Sequence, residues 1–149
     1  MYNVGYRIVR DQEEAEDVLQ EAFISAFRNL ELYRSESTFG AWMKRIVVNK
    51  AINQLKKKRM ERFPDDERWD IREEETVDEF EGYPFTVDKV KKAIGQLPEG
   101  YRLVLSLYLM EGYDHSEISE ILGITESTSK SQLNRSKKKL RELLEGGMI

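Results

Sequence analysis

Two stretches of this 149-residue chain concentrate side chains suited to binding phosphate. Residues 44–59 hold Lys44, Arg45, Lys50, Lys56, Lys57, Lys58 and Arg59 with no acid among them, and residues 130–141 hold six cations, again with no acid. Cations this segregated neutralise a nucleic-acid backbone, and the neighbouring Asn49 and Asn53 carry amides able to read base edges. Trp42 offers a ring on which an unpaired base can stack. Each has a plainer use as well: a solvated basic helix face, amides in water, a tryptophan in a core. Other chemistries lack their residues. With no cysteine, disulfides, thiolate zinc sites and thiol catalysis are excluded. His115 is the single histidine, and its neighbours Asp114 and Ser116 are accounted for by helix capping. There is no glycine-rich phosphate loop, so no catalytic residue, metal or cofactor is expected.

The formal charge of −4 hides a change of sign along the chain. Residues 1–62 carry a net +3, residues 63–88 a net −9, and residues 89–149 a net +2. At 40% apolar and 35% charged, the composition fits one globular domain or two small ones. No apolar run reaches the ~18 residues of a membrane helix, and the N-terminus lacks the pattern of a signal peptide. The expected location is therefore cytoplasmic, with no membrane contact of its own.

The elements that must position these residues are helical, because strand alternation is absent throughout. Asp11 with Glu14 predicts a capping-box start. Ala15, Val18, Leu19, Ala22, Phe23, Ala26, Phe27 and Leu30 follow at helical spacing as one apolar stripe. The opposite face leaves Gln20 and Glu21 exposed for a partner. After the polar stretch ELYRSEST, Ser37 or Thr38 can cap a second helix over about residues 39–59, with the stripe Phe39, Trp42, Met43, Ile46, Val47 and Leu55. The acidic stretch 63–86 shows neither period and reads as a linker, either a solvated tether or a strap competing with DNA for the basic faces.

Beyond it, Val87, Val90, Ala93, Ile94 and Leu97 predict a short amphipathic helix, and Pro98 opens another whose YRLVLSLYLM is apolar on nearly every side. Gly112 ends that buried helix. Asp114 with Glu117 forms a capping box, Ile118, Ile121 and Leu122 face inward, and Gly123 supplies a left-handed stop. Thr125 then caps a last helix to about Leu144, held to its lobe by Leu133, Leu140 and Leu144. Two helices joined by a short turn with glycine, the second ending in a basic run, form a helix-turn-helix pattern. The fold expected is all-α: two small helical domains, residues 1–62 and 87–149, joined by an acidic linker over 63–86, the C-terminal one a helix-turn-helix.

These residues carry a resemblance to a known family. EEAEDVLQEAFISAF resembles the second conserved helix of bacterial extracytoplasmic-function (ECF) sigma factors of the sigma-70 family. STFGAWMKRIVVNKAINQLKK resembles their promoter-melting helix, and LPEGYRLVLSLYLMEGYDHSEISEILGITESTSKSQLNRSKKKLREL their C-terminal helix-turn-helix. The resemblance implies binding to core RNA polymerase, recognition of minus-thirty-five and minus-ten promoter DNA, and restraint by an anti-sigma factor. A stand-alone helix-turn-helix regulator of duplex DNA is the alternative.

By that resemblance, Asp17, Gln20, Glu21 and Phe23 belong to the motif whose exposed members dock on the polymerase. Arg34 to Thr38, with Arg34, Ser37 and Thr38 as candidate contacts, match the loop that receives a flipped minus-ten base. Trp42, Arg45, Asn49 and Lys56 match the melting helix, and Lys130, Ser131, Asn134 and Arg135 the major-groove positions. Asn53 and Lys56 stand where the family more often has Asp and Arg, and Ser127 and Ser129 where Gly and Val are commoner. The opening MYNVGYRIVRDQ resembles the tail of the second helix of the family's N-terminal domain. An N-terminally short domain is thus expected, with Val4, Ile8, Phe23 and Phe27 partly uncovered.

Overall fold

The computed structural model describes residues 1–34, 36–62 and 87–146. Ser35 of the loop and the linker expected over 63–86 lie outside the described residues. Seven α-helices account for most of the rest, and no strand occurs among the described residues. The chain divides into two compact units, Met1–Glu67 and Arg68–Ile149.

In the first unit, α1 (Tyr2–Val9), α2 (Gln12–Arg28) and α3 (Phe39–Arg62) pack pairwise against one another. Arg10 ends α1 in the left-handed region (φ 59°), with its N–H on the Tyr6 carbonyl. Asp11 then caps α2 by accepting from Glu14 N–H at 2.9 Å. The expected capping box does not close, because the Glu14 carboxylate accepts from Lys58 on α3 instead. Thr38 caps α3, its hydroxyl accepting from Ala41 N–H at 3.1 Å.

The core between these helices is made by Val4, Ile8 and Val9 of α1, Ala15, Val18, Ala22 and Ala26 of α2, and Met43, Val47, Val48, Ala51, Ile52 and Leu55 of α3. Alanines let α2 lie close to its neighbours. The wide apolar stripe expected on α2 divides accordingly: its small members turn inward, while Phe23 (43% exposed), Phe27 (75%) and Leu30 face solvent. Leu19 is half-buried. Val4 and Ile8, expected to be partly uncovered, are buried at 8% and 2% exposure because α2 and α3 close over them. Phe39, placed by sequence in the α3 stripe, is also exposed, since it stands in the first turn of α3, ahead of the buried run from Met43 to Leu55.

The second unit consists of α4 (Val87–Gln96), α5 (Glu99–Leu105), a π-turn over Ser106–Met110, α6 (His115–Leu122) and α7 (Glu126–Gly146). Buried Tyr101, Leu103, Val104, Leu105 and Leu107 form its centre, and α7 packs against α4, α5 and α6. The helix expected to be buried throughout is not. After Ser106 it widens into the π-turn, closed by the Glu111 N–H on the Ser106 carbonyl at 3.0 Å, and Leu109 and Met110 swing out to solvent.

Gly112 (φ 78°) and Gly123 (φ 70°) occupy left-handed positions at which a side chain would be strained. Between them Asp114 and Glu117 form a complete capping box, with 2.8 and 3.2 Å bonds. Among the described residues no helix is long and apolar enough to cross a membrane.

Candidate nucleic-acid interface

The turn from α6 to α7 is three residues long, Gly123 to Thr125. Gly123 and Ile124 both donate backbone N–H to the Ser119 carbonyl, which fixes the exit from α6. Thr125 starts α7 with its hydroxyl accepting from Thr128 N–H at 3.0 Å. From this start α7 presents two unlike sides. Ser129, Gln132, Leu133 and Ser136 are buried, while Lys130, Ser131, Asn134 and Arg135 are exposed. The seat therefore differs from the expected leucines, of which Leu140 and Leu144 are only half-buried. Serines serve because they are short and their hydroxyls find local partners. Ser136 donates to the Leu133 carbonyl at 2.7 Å, and Ser129 shares a 2.8 Å hydrogen bond with His115 Nδ1. Ser129, at a position where the resembled family commonly has Val, thus faces inward.

On the outward side, steps of three and four residues add Ser127 and Lys138 to the same row, both exposed. Sequence reasoning did not single out Lys138. Its spacing of four from Asn134 was the available signal.

On α3 the outward row is Trp42, Arg45, Asn49, Asn53 and Lys56, opposite the buried row from Met43 to Leu55. Asn49 and Asn53 are exposed; Trp42, Arg45 and Lys56 are half-buried. Trp42 is neither a core residue nor a free ring. It lies 5.3 Å from the Tyr33 ring and 5.7 Å from Phe39, and Phe39 meets Tyr33 edge-on at 5.7 Å. This aromatic trio stands beside the loop of Arg34, Ser37 and Thr38, all exposed. The Tyr33 hydroxyl donates to the Ser37 carbonyl at 2.6 Å, fastening the loop to the trio. The Thr38 hydroxyl is committed to its cap.

A third surface is the outer side of α2. Asp17, Gln20 and Glu21 are exposed there as expected, and beside them lie Phe23, Ile24 (52% exposed) and Phe27. Large apolar side chains grouped in solvent are a feature in common with protein interaction surfaces. Phe23 and Phe27 are uncovered as expected, whereas Ile24 was not singled out from the sequence. Among the described residues no group of His, Cys, Asp or Glu could hold a metal ion.

Two helical units, one ending in a helix-turn-helix with a polar cationic second helix and the other carrying a basic helix with an aromatic platform, define a bipartite DNA-binding protein. Comparison with known proteins makes the class specific. Residues 1–61 match the family model for sigma-70 region 2, and residues 88–140 that for sigma-70 region 4. The chain is 33% identical to the RNA polymerase sigma-H factor of Pseudomonas aeruginosa, covering 93% of this chain and 77% of that protein. It is 29% identical to the ECF RNA polymerase sigma factor SigE of Mycolicibacterium smegmatis over 97% of this chain, and spans 57% of that relative's length. Among solved structures, the sigma factor RpoE from Bartonella quintana, in complex with the anti-sigma factor NepR, has a similar fold (TM-score 0.65, 22% identity, 97% of this chain and 89% of that one). The chain belongs to the sigma-70 family of RNA polymerase sigma factors, in its ECF group. Members bind core RNA polymerase and direct it to promoters.

Proposed function

We propose that this chain docks on core RNA polymerase through the outer side of α2 and reads promoter DNA with one surface of each unit. Asp17, Gln20 and Glu21 supply polar contacts to the polymerase, and Phe23, Ile24 and Phe27 supply apolar area. At the minus-ten element, cations and amides of α3 hold the backbone and an opened strand. The Tyr33–Phe39–Trp42 trio stacks on a base, and Arg34, Ser37 and Thr38 border the base that is flipped out. At the minus-thirty-five element α7 enters the major groove. The domain division at residues 1–62, 63–86 and 87–149 belongs to the same reading.

The observation that carries it is the two-sidedness of α7: Lys130, Ser131, Asn134 and Arg135 are exposed on a helix whose other side is buried directly behind them. Cations there hold phosphates and short polar side chains meet base edges. A stand-alone duplex regulator would leave the apolar outer side of α2 without a use. The chain contributes recognition and no catalytic step, and it works in the cytoplasm, where the polymerase is. A protein of the anti-sigma class, such as accompanies the Bartonella relative, restrains it by covering the surfaces that polymerase needs.

Run-off transcription from a promoter library with core polymerase tests this reading. Specific starts that depend on the chain support it, and transcription indistinguishable from core polymerase alone overturns it.

A further inference from the structure

The His115–Ser129 contact joins the first residue of α6 to the buried side of α7 in this helix-turn-helix. Ser129 is wholly buried, and its Oγ lies 2.8 Å from His115 Nδ1. The other side of the imidazole is settled too: it stacks on the Tyr108 ring at 4.8 Å between centroids and 20° between planes. Tyr108 belongs to the π-turn, so one ring touches three consecutive elements of the unit. Ile118, Ile121 and Leu122 of α6 are buried and supply apolar packing beside it. Apolar packing is non-directional, whereas a hydrogen bond in this partly buried site also fixes the direction of approach. Ser129 is also the residue directly before Lys130 and Ser131 on the exposed side. A rotation of α7 that broke the bond would re-aim those side chains.

We infer that His115 is a positioning residue for upstream promoter recognition: through Ser129 it sets the rotation of α7 about its own axis, and so determines which base edges Ser131, Asn134 and Arg135 meet. This rests on the proposed function of α7. His115 acts by holding the reading helix, and the ring of Tyr108 holds it in turn.

Three substitutions separate this role from ordinary packing. His115→Phe keeps a ring on Tyr108 and removes the nitrogen. His115→Asn places a polar atom at the same distance along the side chain as Nδ1 and removes the ring. Ser129→Ala leaves the imidazole stack intact and deletes its partner, without leaving a buried hydroxyl unpaired. The experiment is selection of active promoters from a library randomised over the upstream element, using core polymerase with the full chain, beside thermal unfolding of each variant. The preference for the best base at one or more upstream positions is expected to fall at least about fivefold in His115→Phe and Ser129→Ala, the low end of what one base contact discriminates. It stays near the parent in His115→Asn, and minus-ten preference is unchanged in all three.

Should His115→Phe fail to fold, Ser129→Ala decides by itself. Parental base preference in folded His115→Phe or Ser129→Ala overturns the inference; loss in His115→Asn alone, with His115→Phe near the parent, makes the ring's packing on Tyr108 responsible and overturns it as well. If the parent itself selects no upstream sequence, the assignment of α7 to promoter reading fails first, and this inference with it.

Discussion

Glu14 in the first turn of α2 and Lys58 near the end of α3 are 44 residues apart in sequence and form an ion pair at 3.1 Å. The pair closes one end of the first unit and takes one lysine out of the basic run that sequence alone assigns wholly to solvent or phosphate. Side-chain exposures of 37% for Lys58 and 23% for Glu14 keep it partly hydrated. Its contribution is accordingly modest, at most about 1 kcal/mol. Lys58→Met is expected to lower the unfolding temperature slightly, with a difference that shrinks at high salt. A difference that persists at high salt would mean that the ammonium acts through its hydrogen bond to Glu14 rather than through screened charge.

Gly5 lies inside α1, where glycine weakens a helix by about 0.5–1 kcal/mol relative to alanine. A Cβ built there would meet Val47 Cγ1 at 3.8 Å and Val18 Cγ1 at 3.9 Å, which are ordinary contact distances. Gly5→Ala should raise the denaturant midpoint without changing the slope of the transition. A lower midpoint would show that α1 needs closer approach than those distances require.

Gln20→Ala combined with Glu21→Ala, and separately Phe27→Ser, are expected to weaken binding to core polymerase while leaving the unfolding temperature close to that of the parent. All three residues are exposed, so their loss removes no core contact. Competition binding against the unaltered chain measures the first effect, and calorimetry the second. Unfolding of either variant, or undiminished polymerase binding by both, contradicts the assignment of the outer side of α2.

Arg135 and Lys130 should behave differently. Arg135→Ala is expected to relax selectivity at one upstream position by about 1–3 kcal/mol, because a guanidinium can pair with a guanine edge at two points. Lys130→Ala should weaken binding to all sequences alike and reduce the salt dependence by roughly one phosphate's worth. Site selection on randomised duplexes at two salt concentrations reads both. Uniform loss of affinity in Arg135→Ala with unchanged base preference would make it a backbone contact.

What sequence revealed and what it concealed follow from the range of the signals. The stops and starts around the helix-turn-helix were legible because each is local: Asp114 with Glu117, Gly123 and Thr125 act within four residues of themselves. Long unmixed cationic runs were legible for the same reason. The facing of α2 was not, because Ala22 and Ala26 sit directly before Phe23 and Phe27, and helical periodicity cannot tell which of two adjacent apolar rows turns inward. Side-chain volume decided it, through the close approach of α1 and α3. Ser129 and Ser136 escaped notice since short hydroxyl residues ordinarily face water; Ser136 is satisfied within its own helix by the Leu133 carbonyl, but the partner of Ser129, His115, is 14 residues away and no spacing rule connects the two. The π-turn has no sequence signature of its own.

The packing of Trp42 against Tyr33 and Phe39 also makes the chain its own optical reporter. The chain has two tryptophans, Trp42 and Trp69, and Trp42 stands in this aromatic trio. In a Trp69→Phe variant the remaining indole emission arises at the surface assigned to the opened strand. A nucleobase stacking on that indole is expected to quench its light. Stopped-flow emission can then time the arrival of an opened strand, with no dye attached to either molecule.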